Sequence, residues 1–324
     1  MPSIVAVTES EFRKAEPVFT STTRFTCVTA PSDEAGLVKA IADSGAEHAV
    51  VGHRRYESAL YSALKRGRVL ARFGVGHEGI DKAKATAAGI LCTNTPGTLD
   101  ASVAELAMLL IASAARHLPE LHSKMAGGAW APRVGIELKG KRLAVVGSGR
   151  IGTALGRIAA HGYGMRVTGF VRQGATTTPA DPYERLTSDF EECVSDADFV
   201  SLHIGASAEN LRFVNRERLA MLAPHAWLIN TARGAVVDEL ALFDTLSNGR
   251  LAGAALDVFD REPYEPADIG HDLRRLPNVI MTPHVGSNTP DANHRMAAGA
   301  LRNIALAEDG DFASMALLNP DVLR

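Results

Sequence analysis

Cysteine is scarce: Cys27, Cys92 and Cys193 are the three among 324 residues, with no CxxC pair or mixed Cys/His spacing. That excludes a disulfide framework and a zinc site as organising devices, and it fits a reducing compartment. No metal is expected. A surplus of basic charge is also missing, with 34 Lys and Arg against 37 Asp and Glu and a net charge of −3. The cations are scattered, in clusters no larger than pairs such as Arg54-Arg55 and Arg274-Arg275. Neither a nucleic acid nor an anionic membrane is an expected partner. The longest apolar run, residues 106–115, is interrupted by Ser113 and too short to span a bilayer, so it reads as a buried helix. The opening MPSIVAVTES has no basic stretch followed by a long apolar one, so no signal peptide is expected and the cytoplasm is the expected location. Low-complexity segments and short tandem repeats are absent as well.

What remains is ordinary globular composition, 46% hydrophobic and 22% charged, at a length near two typical domains. Short apolar runs alternate with longer helical stretches, the pattern of parallel α/β sheets. Strands are expected at 4–7, 25–28, 48–51, 69–73 and 90–93, with helices such as 33–44 and 59–66 between them. The loop Asn94-Thr95-Pro96-Gly97 breaks this series, and Ser102 with Glu105 has the spacing of a capping box for the helix that follows. A second series begins near Lys141, with strands at 142–146, 166–170, 199–203, 227–230, 254–258 and 279–281. Helices fit at 151–161 and 239–248, and again at 291–308 after Pro283.

The strand at 142–146 runs into Gly147-Ser148-Gly149-Arg150-Ile151-Gly152 and then a helix. In that context a G-x-G-x-x-G run points to a dinucleotide. The first glycine allows the tight turn, the second lets backbone approach a pyrophosphate, and the third allows close helix–strand packing. The next strand ends in Val171-Arg172-Gln173, where NAD enzymes usually place the carboxylate that accepts the ribose 2′-hydroxyl. Arg172 can instead bind a 2′-phosphate, which favours NADP(H) and leaves NAD(H) possible; the alternative is a solvated surface arginine.

Three further segments follow candidate strands, where ligands of open α/β sheets bind. They are Asn230-Thr231-Ala232-Arg233-Gly234, the run from Asp257 to Glu262, and Thr282-Pro283-His284-Val285-Gly286. Arg233 can grip a carboxylate and polarise the adjacent carbonyl. His284 can pass a proton to that oxygen as a hydride arrives, and Glu262 can orient the imidazole and stabilise its imidazolium form. Asp257 suits a cofactor-orienting acceptor. His203, Thr231, Ala232, His284 and Gly286 complete the expected dinucleotide contacts. Each residue alone has a plainer reading as a solvated charge or a hydrogen-bonded core histidine.

The stretches FGVGHEGID, NTPGTLDASVAELAMLL, ELKGKRLAVVGSGRIG, LINTARGAVVDE, GAALDVFDREP and TPHVGS together make the chain resemble the D-isomer-specific 2-hydroxyacid dehydrogenases along essentially its whole length. The resemblance implies two Rossmann-like doubly wound parallel-sheet domains with the active site in the cleft between them. Residues 1–98 plus 289–324 would form a discontinuous substrate domain, and 99–288 the dinucleotide-binding domain. It further implies an Arg233–Glu262–His284 catalytic set, substrate carboxylate held by Arg233 and the backbone amides of Val75 and Gly76, and a homodimer joined through the nucleotide domain. In that homodimer Trp130 either reaches toward the partner's site or simply packs.

Where the family commonly reads Asp-Asn after GVG-x, this chain has Glu78-Gly79, with His77 beside the carboxylate loop. Gly205 stands where the family usually has proline, which suggests a looser loop. Arg54 could meet a second anionic group, though a solvated pair with Arg55 is the plainer reading. These features, and no sign of an added C-terminal regulatory domain, lean toward glyoxylate, hydroxypyruvate or another small 2-oxo acid. A formate-type relative would pair the histidine with glutamine rather than Glu262. A phosphite-type one commonly carries lysine in the first-domain loop, at the position Phe73 occupies. A dinucleotide-sensing corepressor would not need the full catalytic set.

Overall fold

The computed structural model describes residues 2–324, which divide into two compact units. One reaches to Leu99 and resumes over Ser287–Arg324; the other is Asp100–Gly286. Each is built on a wholly parallel sheet.

The first sheet comprises β1 (Ser3–Thr8), β2 (Phe25–Ala30), β3 (His48–Val51), β4 (Val69–Arg72) and β5 (Leu91–Thr93), in the order β2-β1-β3-β4-β5. Central β3 is buried at all four residues, as expected when helices cover both faces. Helix boundaries follow local chemistry. Asp33 accepts from the Gly36 amide to start helix Glu34–Ser44, and Gly45 ends it at φ 69°, a left-handed conformation that glycine adopts without strain.

The chain's last segment belongs to this unit through specific polar ties. From helix Pro290–Glu308, Asn303 donates to the Asn94 carbonyl (2.9 Å) and accepts from the Ala316 amide (3.0 Å). Asn319 accepts from the Cys92 amide (2.9 Å) and donates to the Ile90 carbonyl (2.9 Å). Buried amides are worth this much bonding because unpaired backbone groups at the end of β5 would be costly.

The second sheet comprises β6 (Arg142–Val146), β7 (Arg166–Phe170), β8 (Arg185–Thr187), β9 (Phe199–Leu202), β10 (Trp227–Asn230), β11 (Gly253–Leu256) and β12 (Val279–Met281), ordered β12-β11-β10-β9-β6-β7-β8. Side chains alternate as strand geometry requires: Leu143 and Val145 enter one core, Val146, Leu202 and Leu228 the other. The strand order reverses between β6 and β9, creating the switch point at which open α/β sheets bind ligands.

The two parallel-sheet α/β units match the expected fold class, with differences of detail. Edge strand β8 was not expected, because three residues, Arg185-Leu186-Thr187, carry too little periodicity to announce a strand. The helix expected to be capped by Ser102 begins at Asp100, so Ser102 lies buried inside its first turn. Asp100 is favoured there by the positive helix end, and its carboxylate also meets Arg150 Nε at 3.1 Å. The helix expected at 151–161 is α-helical over Arg150–Arg157 and continues as a π-helical turn, Ile158–Gly162.

Candidate active site

The glycine turn sits at the switch point. Gly147 has φ 102°, and a Cβ there would lie 2.7 Å from the His203 carbonyl oxygen, so the ends of β6 and β9 touch through this glycine. A Cβ on Gly152 would lie 2.3 Å from the Gly147 carbonyl oxygen, which closes helix Arg150–Arg157 onto the turn. Around Gly149 a Cβ would meet nothing within 4 Å, leaving open space at a helix N-terminus that has no side-chain cap. Open space, a positive helix end and uncapped amides fit a pyrophosphate. Ser148 spends its hydroxyl on the Phe170 carbonyl (3.3 Å), while Arg150 and Ile151 open the helix. A second observation fits a dinucleotide here: the buried Thr231 hydroxyl has no hydrogen-bond partner within the chain.

His203 follows β9, and its Nε2 lies 2.9 Å from the Ser201 hydroxyl. Burial pushes its pKa down to about 4, so the ring stays neutral beside the glycine turn. Gly205 does not leave the next loop slack, since its carbonyl accepts from Asn210 Nδ2 (2.8 Å) and the Ser207 amide (3.0 Å). Arg172 lies one residue beyond Val171 at the end of β7 and is exposed.

The other expected residues gather beyond three consecutive neighbours, β10, β11 and β12. After β10, Asn230 folds the chain back on itself: it accepts from the Ala232 amide (3.0 Å) and donates to the Arg233 carbonyl (2.9 Å), fixing the turn that carries Thr231, Ala232 and Arg233. After β12, His284 is held at φ 52°. A non-glycine residue in this left-handed region is strained, and here the strain is restrained by Asp257. The buried Asp257 carboxylate accepts from the Thr282 hydroxyl (2.6 Å), the Val285 amide (2.9 Å) and the Gly286 amide (2.8 Å), and its own carbonyl accepts from the His284 amide (2.9 Å). Asp257 is thus visibly engaged with the histidine turn, a use the sequence did not suggest.

Glu262 Oε2 lies 2.6 Å from His284 Nδ1. A carboxylate only accepts, so Nδ1 is the donor of this bond and Nε2 is the ring nitrogen left for other partners. The other carboxylate oxygen of Glu262 accepts from the Phe259 amide at 3.0 Å. Glu262 and His284 are both partly exposed.

In the first unit, Val75 and Gly76 follow β4 in a loop pinned by its neighbours. Asn94 donates to the Val75 carbonyl (2.8 Å), and Thr95 accepts from the Gly74 amide (3.1 Å). Among the described residues, no hydrogen bond within the unit uses the Val75 or Gly76 amide. His77 is within 3.3 Å of Lys82 Nζ. The Glu78-Gly79 departure has a packing cause, because a Cβ on Gly79 would lie 2.3 Å from the Arg54 carbonyl oxygen. Among the described residues no group of His, Cys, Asp or Glu could hold a metal, and no single helix is long and apolar enough to cross a membrane.

With this geometry in place, similarity to known proteins is decisive. The family model for the D-isomer specific 2-hydroxyacid dehydrogenase NAD binding domain matches residues 108–286. The chain belongs to this family. It is an NAD(P)-dependent oxidoreductase of 2-hydroxy acids. A glyoxylate reductase of Thermococcus litoralis is 37% identical over 268 residues, 79% of this chain and 78% of that protein. One from Pyrococcus furiosus is 36% identical over 282 residues, 83% and 81% respectively. Among solved structures, an NADPH-dependent glyoxylate/hydroxypyruvate reductase of Sinorhizobium meliloti in complex with NADP and malonate superposes with a TM-score of 0.77 at 29% identity, covering 94% of this chain and 93% of that one.

Proposed function

We propose that this dehydrogenase reduces small 2-oxo acids, glyoxylate and hydroxypyruvate foremost, and prefers NADPH to NADH. The observation that carries the reading is the 2.6 Å Glu262–His284 pair on a loop system shared with Arg233, beyond adjacent strands β10 to β12. When bound, the reduced nicotinamide supplies the hydride that adds to the carbonyl carbon. His284 Nε2 delivers the proton to the carbonyl oxygen, so the carbonyl becomes an alcohol and the imidazolium becomes neutral imidazole. Glu262 stabilises the imidazolium before transfer and keeps Nδ1 protonated after it. Arg233 and the Val75 and Gly76 amides hold the substrate carboxylate, with Arg233 also polarising the carbonyl. In this division of work, 1–98 with 289–324 serve the substrate and 99–288 the dinucleotide.

The open turn at Gly149 would take the pyrophosphate, and Thr231 would offer its unused hydroxyl to the cofactor. Arg172 supports NADPH, since it stands where a carboxylate would repel a 2′-phosphate. A homodimer through the dinucleotide unit is supported by a run of exposed apolar side chains in it, Leu118, Met125, Trp130 (85%) and Val134 (92%). The three free cysteines suit a reducing compartment.

Initial rates of NADPH and NADH oxidation against glyoxylate, hydroxypyruvate, pyruvate and bulkier 2-oxo acids test the proposal. Turnover should favour NADPH with the two small acids and fall on the order of 10²–10⁴-fold in His284→Ala. Faster turnover with NADH would remove the part assigned to Arg172. Dinucleotide binding without turnover on any 2-oxo acid would refute the substrate class and direct attention to phosphite, formate or a sensing role.

A further inference from the structure

The loop bearing Glu262 is gripped by two residues to which no role has yet been given. The first is Gly234. A Cβ there would lie 1.8 Å from the Phe259 carbonyl carbon, 2.1 Å from its oxygen and 2.3 Å from the Asp260 nitrogen. Those distances are far inside van der Waals contact, so the Gly234 backbone lies directly against the Phe259–Asp260 peptide and no side chain can intervene. The second is Glu239, in the first turn of helix Glu239–Ser247. Its Oε1 accepts from the Asp260 amide at 2.7 Å, the N–H of that same peptide. The peptide is therefore held on one face by Gly234 and at its donor by Glu239.

This matters because Glu262 is anchored to the same place. One of its oxygens accepts from the Phe259 amide and the other from His284 Nδ1. Any displacement of residues 259 and 260 moves the first anchor and swings the second away from the imidazole. We infer that Glu239 is a positioning residue for the hydride-transfer reaction, fixing the Phe259–Asp260 peptide so that Glu262 stays in line with His284. It touches neither substrate nor cofactor in this role.

The cost of keeping a carboxylate here argues that it is used. Glu239 is half-buried, and that burial, reinforced by the charges of Asp260 and Glu262, raises its pKa against the opposing effect of the Asp260 amide. Tyr264 also faces it. A helix-start glutamate with no further task would sit in solvent at no such expense.

The inference rests on the roles proposed for Glu262 and His284, and the test separates the two. The whole enzyme is assayed for 2-oxo acid reduction across pH, as Glu239→Ala, Glu239→Gln and His284→Ala variants. In Glu239→Ala, kcat should fall on the order of tenfold to a hundredfold with the dinucleotide KM unchanged, the loss typical of slight misplacement of reacting groups. The pH profile of kcat should change in shape as well, because Glu262 no longer meets the imidazole as it does in the parent. Glu239→Gln keeps an acceptor for the Asp260 amide and should recover most of kcat. Added to Glu262→Gln, Glu239→Ala should cost less than about twofold more, since both act through one contact. A Glu239→Ala enzyme with parental kcat and pH profile overturns the inference, as does a loss confined to the dinucleotide KM or one that multiplies with Glu262→Gln. If His284→Ala retains activity, the underlying reading of the site has failed instead.

Discussion

The two units solve the same problem, holding loops at the carboxyl ends of a parallel sheet, with different materials. In the dinucleotide unit, side-chain ties from Asn230, Asp257 and Glu239 are joined by direct contacts between backbones that depend on glycines: Gly147 against His203, Gly152 against Gly147, Gly234 against Phe259 and Asp260. In the other unit the ties are mostly side-chain amides and hydroxyls, with Asn94, Thr95, Asn303 and Asn319 each bonded to a backbone group. A backbone contact admits almost no adjustment, whereas a side-chain tie can rotate and re-form. Precision is thus greatest in the unit carrying Arg233, Glu262 and His284, and tolerance is greater where the Val75–Gly76 loop sits.

Gly234→Ala should break this contrast most severely. The new methyl cannot fit beside Phe259 without moving the peptide that anchors Glu262. We expect kcat/KM for the 2-oxo acid to drop on the order of a hundredfold while dinucleotide affinity, measured by fluorescence titration, stays near the parent value. A drop under twofold would show the contact to be compliant. Asn303→Ala should have a smaller and different effect. Removing a buried amide that serves Asn94 and Ala316 should cost about 1–3 kcal/mol in chemical denaturation and leave dinucleotide binding intact.

An effect that leaves the protein untouched at neutral pH concerns acid. His48, buried in β3, accepts from the Val69 amide at Nδ1 (3.0 Å), and burial lowers its pKa from 6.5 to about 4 despite the nearby Glu308. Between those values the unfolded chain binds a proton that the folded one refuses. Stability is therefore full above pH 6.5 and declines as pH falls toward 4, by up to about 1.4 kcal/mol per unit. His48→Asn keeps an acceptor for Val69 and should flatten this decline in the first unit. His203, also held near 4 by burial, leaves the second unit's acid sensitivity in place. Amide hydrogen exchange at pH 7 and pH 5 would read the two units separately, and an unchanged slope in His48→Asn would refute the assignment.

Much of this was readable from the residues. Short apolar runs such as 49–51 and 143–146, set between longer helical stretches, suit buried parallel strands, so the two-sheet architecture follows from pattern. The glycine turn and the Asn-Thr-Ala-Arg-Gly segment were readable too, because turn residues after a strand have few other uses. What grips those turns was not. Glu239 reads as an ordinary helix-start acid, and Asp257 as a strand-end carboxylate available to a ligand. Only distance reveals that one serves the Asp260 amide and the other three donors of the histidine turn. The polar ties of Asn303 and Asn319 were hidden for a related reason, since their partners lie more than 200 positions away in the chain.

The left-handed backbone of His284 has a consequence for anyone redesigning this protein. Glycine or asparagine would occupy φ 52° more comfortably than histidine, and a procedure that ranks residues by fit to the backbone will favour them there. Optimising that position for durability would then remove the proposed proton donor, so on that reading a sturdier variant selected without an activity screen is expected to be an inert one.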